Sequence, residues 1–429
     1  MIRASGLWVA DTATAEQMQR DRRYTNPAWV HWSRTGGRAE PDRYLDVSRR
    51  WGRWTILPRE WPTDGAPQDR TCYPAAARVR EYTWQLRDYQ RAALEAWTGC
   101  GVIVAPCGAG KTAIGSAAIA SRRTPALVLV HTRDLVRQWV ERLQDSHSAP
   151  EVGIVGGGKD ERGADVVVAT LQTLARWPFD ELIEWGKGRG LVVVDECHHI
   201  PAATFGAVML GLGGRERLGL TATPERADGL EGLITDHLGP VCHRIEAHHL
   251  QASGATLTPE IRILHTEWEA DPLDKPHQRR RALATDSGRN WLIWDAVRSQ
   301  VEQGRRVLVL CDLKQHCRDL AAACGGVAVT SDLTPKQRRE AFAGLRSGAV
   351  GALFATSLAD EGLDLPELDT VILAAPCGLV GKVEQRIGRA LRPADNKGRP
   401  LVIDLVDKFG PFQGYARRRA KLYRERGWM

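Results

Sequence analysis

The sequence predicts an α/β protein of two tandem, doubly wound parallel-sheet lobes behind a small Trp- and Arg-rich N-terminal domain. Three observations carry this. Short apolar runs alternate with helical stretches at 102–105 (VIVA), 126–130 (ALVLV), 152–155 (VGIV), 166–170 (VVVAT), 191–196 (LVVVDE) and 218–223 (LGLTAT). Such runs, split by helices, read as buried strands of a parallel sheet. A second series follows at 306–310 (RVLVL), 327–330 (VAVT), 352–357 (ALFATS), 370–375 (TVILAA) and 400–405 (PLVIDL). Finally, the first run leads into VIVAPCGAGKTAIG (102–115), a glycine-bracketed turn between a strand and a helix.

At 429 residues the chain is too long for one ordinary core. The divisions expected are an N-terminal accessory domain at 1–82, a first lobe at 83–245, a connector at 246–290, a second lobe at 291–410 and a basic helix at 411–429. Residues 1–82 read as irregular, with turn signals at Asn26-Pro27, Gly36-Gly37 and Gly65-Ala66-Pro67. There Trp29, Trp32, Trp51, Trp54 and Trp61 sit among Arg34, Arg38, Arg43, Arg49, Arg50 and Arg53. That mixture suits either a small Trp-rich core or base stacking with phosphate contact, and the two are compatible. In the second lobe Thr334 reads as an N-cap, Pro335 as the first helical residue and Gly348 as the helix stop. The tail at 415–428 (YARRRAKLYRERGW) reads as a basic helix, either solvated or touching phosphate.

Composition narrows the class. The net charge of +7 and pI near 9.0 favour a polyanionic partner. No stretch is long and apolar enough to span a membrane, and MIRASGLWVADTATAEQ lacks the apolar core of a signal peptide. The nine cysteines lack CxxC spacing and read as reduced thiols of a cytoplasmic protein. Cys311, Cys317 and Cys324 cluster loosely, but fall across a strand and the following helix, a poor pattern for a metal site.

The phosphate-type loop ends in G-x-G-K-T, with Ala105 where the full pattern has its first glycine. Backbone N–H groups around Gly108, Ala109 and Gly110 can face phosphate oxygens, helped by the positive end of the following helix. Lys111 would neutralise those oxygens and Thr112 would ligate Mg²⁺. LVVVDECHH delivers Asp195 and Glu196 to the C-terminal end of a strand, where open α/β sheets bind ligands. Asp195 suits Mg²⁺, largely through water, and Glu196 suits orienting or deprotonating an attacking water. Adjacent His198 and His199 fit a polar relay to the next strand better than one shared metal ion.

The D-E-C-H quartet resembles motif II of superfamily 2 helicases and translocases, the DEAD/DEAH-box relatives, and the other motifs follow in family order. LRDYQ (86–90) resembles the adenine-reading Q motif, which implies base contacts for Arg87 and Gln90. Residues 128–139 resemble motif Ia and 168–174 motif Ic. Thr221-Ala222-Thr223 matches motif III, so His198, Thr221 and Thr223 are the expected coupling residues. ATSLADEGLDLP (355–366) matches motif V, placing Gly362 and Asp364 near the nucleotide, and QRIGRALR (385–392) matches motif VI through Gln385, Arg389 and Arg392.

The resemblance spans about 86–407 and implies two RecA-like lobes, ATP and Mg²⁺ as cofactors, and DNA, or alternatively RNA, as track. Arg389 and Arg392, expected one helical turn apart on one face, would stabilise charge on the transferring phosphoryl when the lobes close over ATP. Thr132, Arg133, Thr170 and Thr356, all after strands, are candidates for nucleic-acid backbone contact, and each serves equally as a cap or turn residue.

Within the superfamily, P-C-G-A-G-K-T, R-D-Y-Q and D-E-C-H-H most resemble the XPB-type and phage UvsW-like group, which implies 3′-to-5′ movement on DNA in repair, recombination or replication. The group's Arg-Glu-Asp triplet is here Arg226-Ala227-Asp228, which removes the Glu tied to strand opening. The remaining alternatives are an RNA remodeller, an ATP-gated clamp, or a motor subunit of a defence assembly.

Overall fold

The computed structural model describes residues 2–4, 7–35, 39–51, 54–61, 68–69, 81–148, 151–201, 203–224, 228–356, 365–378, 380–394 and 397–429. Two compact units emerge: residues 1–105 with 110–245, and residues 246–429 with the four loop residues 106–109.

The N-terminal region is regular where the sequence suggests irregularity. Strands β1 (Ile2–Ala4), β2 (Leu7–Ala10), β3 (Arg49–Trp51), β4 (Trp54–Leu57) and β5 (Gln68–Asp69) form one sheet in the order β3-β4-β2-β1-β5, with helices α1 (Thr12–Asp21) and α2 (Pro27–Thr35). Strands of two to four residues are too short to show a period-2 pattern against background.

The first lobe contains α3 (Asp88–Ala96), β6 (Cys100–Val104), α4 (Lys111–Arg122), β7 (Ala126–Val130), α5 (Arg133–Ser146), β8 (Val152–Gly156), β9 (Lys159–Asp160), β10 (Val166–Thr170), α6 (Leu171–Leu174) and α7 (Phe179–Lys187). It continues with β11 (Leu191–Asp195), α8 (Ala203–Gly211), β12 (Glu216–Thr221), α9 (Gly232–Leu238) and β13 (Val241–Arg244). The sheet order is β13-β6-β12-β11-β7-β10-β8-β9, parallel except for β8 with β9. Central strands β7, β10 and β11 are buried along their whole length, which is why they appear as unbroken apolar runs.

The N-terminal sheet docks on this lobe. Leu7, Val9 and Ile56 pack with Ile183 of α7 and Leu210 of α8. Asp236 of α9, 1% exposed, accepts from Tyr24 Oη at 2.6 Å and Trp61 Nε1 at 2.7 Å, and pairs with Arg22 Nη2 at 2.7 Å. Trp51 Nε1 donates to Asp180 at 3.0 Å. Trp51, Trp54 and Trp61 therefore serve packing. Trp29 donates to Glu40 and lies under the Arg43 guanidinium. Removing a buried acceptor strands its donors, so Asp236→Ala is expected to destabilise the first unit by about 2–3 kcal/mol. Lowered midpoint of the first denaturant transition, with Asp236→Asn intermediate, checks this.

The second unit contains α10 (Ala247–Ala252), β14 (Glu260–His265), α11 (Pro276–Thr285), α12 (Ser287–Glu302), β15 (Val307–Leu310), α13 (Lys314–Cys324), β16 (Val327–Val329) and α14 (Pro335–Ser347). β17 (Ala352–Ala355), β18 (Thr370–Leu373), α15 (Val380–Ala390), β19 (Leu401–Val406) and α16 (Gly410–Glu425) complete it. Its six strands are all parallel, in the order β14-β19-β18-β15-β17-β16. Thr334 caps α14 through Gln337 N, and Gly348 ends that helix in the left-handed region at φ 81°.

Two expected boundaries need correction. The 246–290 stretch is no connector: β14 pairs along its length with β19 and forms one edge of the second sheet. Nor is 411–429 a detached basic helix. Leu422, Tyr423 and Trp428 join the core of the second unit. Buried Arg419 pairs with Asp404 of β19 at 2.8 Å, and the same carboxylate accepts from Tyr423 Oη at 2.8 Å. Pairing makes an arginine tolerable in that core.

Candidate active site

The topology decides what meets. β12 lies between β6, which leads into the phosphate loop, and β11, which ends in Asp195. Thr221, the last residue of β12, pairs with Val104, while Leu220 pairs with Asp195. The C-terminal ends of the three strands thus bring loop, acidic pair and Thr221 to one edge of the sheet, the usual ligand side of an open α/β fold.

The loop turns through an Ala109 N–H bond to Pro106 O at 3.1 Å. Gly108 and Gly110 take φ of 87° and 78°, conformations that favour glycine. Gly110 caps α4, so Lys111 opens the helix and Thr112 follows in its first turn. A Cβ on Gly110 would lie 2.4 Å from Gln90 Nε2, so the glycine admits Gln90 against the loop. Gln90 itself is buried and accepts from Arg87 N at 3.0 Å, and Arg87 Nη1 donates to Tyr89 Oη at 3.2 Å.

Lys111 Nζ lies 3.1 Å from Glu196 Oε1. Glu196 adopts φ 50°, ψ 52°, a left-handed conformation uncommon outside glycine. That turn ends β11 abruptly and starts the short 3₁₀ turn Cys197–His199. Burial alone would raise the Glu196 pKa, but Lys111 and His198 together hold it below the ordinary carboxylate value. Burial, reinforced by the charge of Glu196, pushes Asp195 up against the opposing effect of Lys111 and Trp139. A buried carboxylate whose charged form is disfavoured is stabilised by a cation, so Asp195 with Thr112 fits a divalent ion.

His198 Nδ1 sits 3.1 Å from Thr221 Oγ1 and 3.4 Å from Glu196 Oε2. Thr221 Oγ1 donates to Thr223 O at 3.1 Å. Short polar contacts thus run from Glu196 to His198 and on to Thr221 and Thr223. Among the described residues no group of three or more His, Cys, Asp and Glu side chains is arranged to hold a metal ion.

Sequence reasoning missed Trp139. It is fully buried on α5 and donates from Nε1 to Asp195 Oδ2 at 2.8 Å. Gly115 makes room, since a Cβ there would lie 2.6 Å from Trp139 Cη2. Its spacing with Val136 and Leu143 marks a core face, but periodicity says nothing of where an indole N–H points.

The candidate nucleic-acid residues divide. Thr132 is the N-cap of α5, accepting from Leu135 N at 3.3 Å, and Arg133 next to it is exposed. Thr170 is 6% exposed, with its hydroxyl 2.7 Å from that of Thr173, and Thr356 is 9% exposed. At Thr170 and Thr356 the strand-end hydroxyls are thus drawn into a local hydrogen bond or burial, the cap-or-turn role that each serves equally.

In the second unit Gln385 is half-buried on α15, but the expected shared helical face of Arg389 and Arg392 does not hold. α15 ends at Ala390, Leu391 O accepts from Leu257 N, and half-buried Arg392 lies in the bend beyond. Pro393 follows, and the residue before a proline is disfavoured in the helical region. Gly362, Asp364, Arg226, Ala227 and the side chain of Arg389 lie outside the described residues.

Two parallel α/β lobes, with a lysine-headed phosphate loop facing a strand-end Asp-Glu pair, define a nucleoside-triphosphate-hydrolysing motor of helicase superfamily 2. Residues 83–226 match the family described as type III restriction enzyme, res subunit, and 290–394 the helicase conserved C-terminal domain. The chain is 30% identical over 410 residues to a DNA 3′-5′ helicase XPB of Kineococcus radiotolerans, covering 92% of this chain and 73% of that protein. It is 28% identical to the DNA 3′-5′ translocase XPB2 of Sulfurisphaera tokodaii, covering 76% and 82%.

Fold likeness extends to the Pyrococcus furiosus Hef helicase domain, with a TM-score of 0.53 at 17% identity over 77% of this chain and 97% of that one. It extends also to S. cerevisiae Dbp5 bound to RNA and ADP BeF3, with 0.54 at 15% over 80% and 88%. The chain belongs to the XPB-like helicases of superfamily 2, and it is an ATP-hydrolysing enzyme. No helix among its described residues is long and apolar enough to cross a membrane.

Proposed function

We propose that the chain is an ATP-dependent DNA helicase or translocase that moves 3′ to 5′ and acts in DNA repair, recombination or replication in the cytoplasm. The observation that carries this is the 3.1 Å Lys111–Glu196 pair beside buried Asp195, set in a chain 30% identical to a DNA 3′-5′ helicase. Phosphate oxygens compete with Glu196 for Lys111, which frees the carboxylate to orient water. Thr112 and Asp195 would hold Mg²⁺, which would supply charge neutralisation on the phosphates when bound. Gly108, Ala109 and Gly110 hold the phosphates, and Arg87 and Gln90 read the base. Gly362 and Asp364 complete the nucleotide contacts, Gln385 supports them, and Arg389 and Arg392 stabilise charge on the transferring group. Thr132, Arg133, Thr170 and Thr356 mark the DNA-facing strand ends, where exposed Arg133 supplies the charge.

Trp139→Phe keeps an aromatic ring of smaller size and removes the N–H that steadies Asp195. It is expected to raise the Mg²⁺ concentration for half-maximal ATPase by about 10–100-fold. An unchanged Mg²⁺ titration refutes the orienting role. The function itself is tested by ATPase rates on single-stranded, duplex and forked DNA and on matched RNA, with triplex displacement reporting movement. Stimulation by DNA with displacement is expected. A rate indifferent to every nucleic acid removes the motor reading, greater stimulation by RNA changes the track, and stimulation without displacement leaves a clamp.

A further inference from the structure

We propose that the contacting rings of His199 and His131 transmit DNA contact to the Glu196 turn, making His199 a positioning residue for DNA-stimulated hydrolysis. The inference rests on the DNA-facing role given above to the ends of β7 and β10.

His198 and His199 leave the same turn toward different neighbours. His198 bonds Thr221, whereas the His199 ring centroid lies 4.1 Å from that of His131, with the planes 37° apart. The His198 and His199 centroids are 4.3 Å apart, so three imidazoles form a continuous file. The turn beneath them is firmly built: Cys197 is fully buried, and His199 N donates to Glu196 O at 3.1 Å. Any push on His199 is therefore delivered to the backbone that aims the Glu196 carboxylate.

The other end of the file is His131, between Val130, the last residue of β7, and the cap Thr132. Its carbonyl accepts from Gln172 Nε2 at 2.6 Å, and Gln172 is the second residue of α6, the helix that starts directly after Thr170 of β10. His131 thus joins both strand ends assigned to DNA. β7, β10 and β11 are buried and paired in register, up to Val130 with Thr170 at the ends of β7 and β10, so contact at one strand end bears on its neighbours. A small shift suffices, because misplacing a reacting group by about 1 Å costs about 10²-fold in rate.

A double-mutant cycle measures the coupling along this file. The full-length protein is compared with His199→Ala, His131→Ala, the double variant, His199→Phe and Arg133→Ala. Readouts are ATPase without and with single-stranded DNA, and DNA affinity by fluorescence anisotropy. His199→Ala is expected to keep its DNA-free rate and DNA affinity, while the stimulation by DNA falls about 5-fold or more, within the usual range of coupling. His199→Phe, which keeps a ring on His131, restores stimulation, and the double variant loses no more than either single.

Parental stimulation in His199→Ala overturns the proposal. So does an equal loss of the DNA-free rate, which would make His199 a simple prop for Glu196. Independent, multiplying losses in the double variant, or no recovery in His199→Phe, overturn it too. Arg133→Ala separates the premise: unchanged DNA affinity there defeats the strand-end contact reading, whatever the histidine variants show.

Discussion

Glu196→Gln is expected to slow ATP turnover by about 10²–10⁴-fold, the usual contribution of a positioned general base. The amide keeps the shape of the side chain but loses the charge that orients and deprotonates water. It also loses the ion pair with Lys111 at 3.1 Å, which leaves the ammonium to phosphate oxygens. Nucleotide affinity is therefore expected to hold or tighten while hydrolysis slows. Lys111→Ala behaves differently, weakening affinity and turnover together and leaving Glu196 without its nearest cation. Single-turnover hydrolysis and equilibrium binding of a fluorescent ATP analogue separate the two. Near-normal hydrolysis by Glu196→Gln would remove this residue from the chemistry.

Arg389→Ala and Arg392→Ala are each expected to lower turnover by about 10³–10⁵-fold, the usual worth of an arginine aimed at a transferring phosphoryl. Lysine should not rescue either, because it lacks the planar, forked donor set of a guanidinium. Departure of Arg392 from the α15 helix makes this prediction sharper. Two arginines on one helical face could substitute for each other, whereas residues held by different backbone act separately. Multiplying losses in the double variant fit that separation. If either single variant keeps parental turnover at saturating ATP and DNA, its arginine does not face the developing charge.

The legibility of the fold followed burial. Central strands such as β7, β10 and β11 are covered on both faces and so appear as continuous apolar runs with sharp ends. Edge strand β14 was misread as linker because one face meets solvent; its residues alternate between exposed and half-buried. β13, at the other sheet's edge, is half-buried and was lost for the same reason. The tail looked like a solvated cationic helix because charge dominates its composition. Only the fold sets Asp404 beside Arg419 and turns that residue inward.

By itself the sequence determined the α/β class, the two series of strands, the phosphate loop and the order of motifs. These depend on residues close together in the chain, where apolar periodicity, glycine conformations and strand-end carboxylates leave a local mark. Tertiary structure decided that Trp139 holds Asp195, that Asp236 receives the N-terminal sheet, that β14 and α16 belong to the second lobe, and that His131 meets His199. Each joins positions far apart in sequence, and whether a polar side chain faces water or a buried partner is fixed by packing.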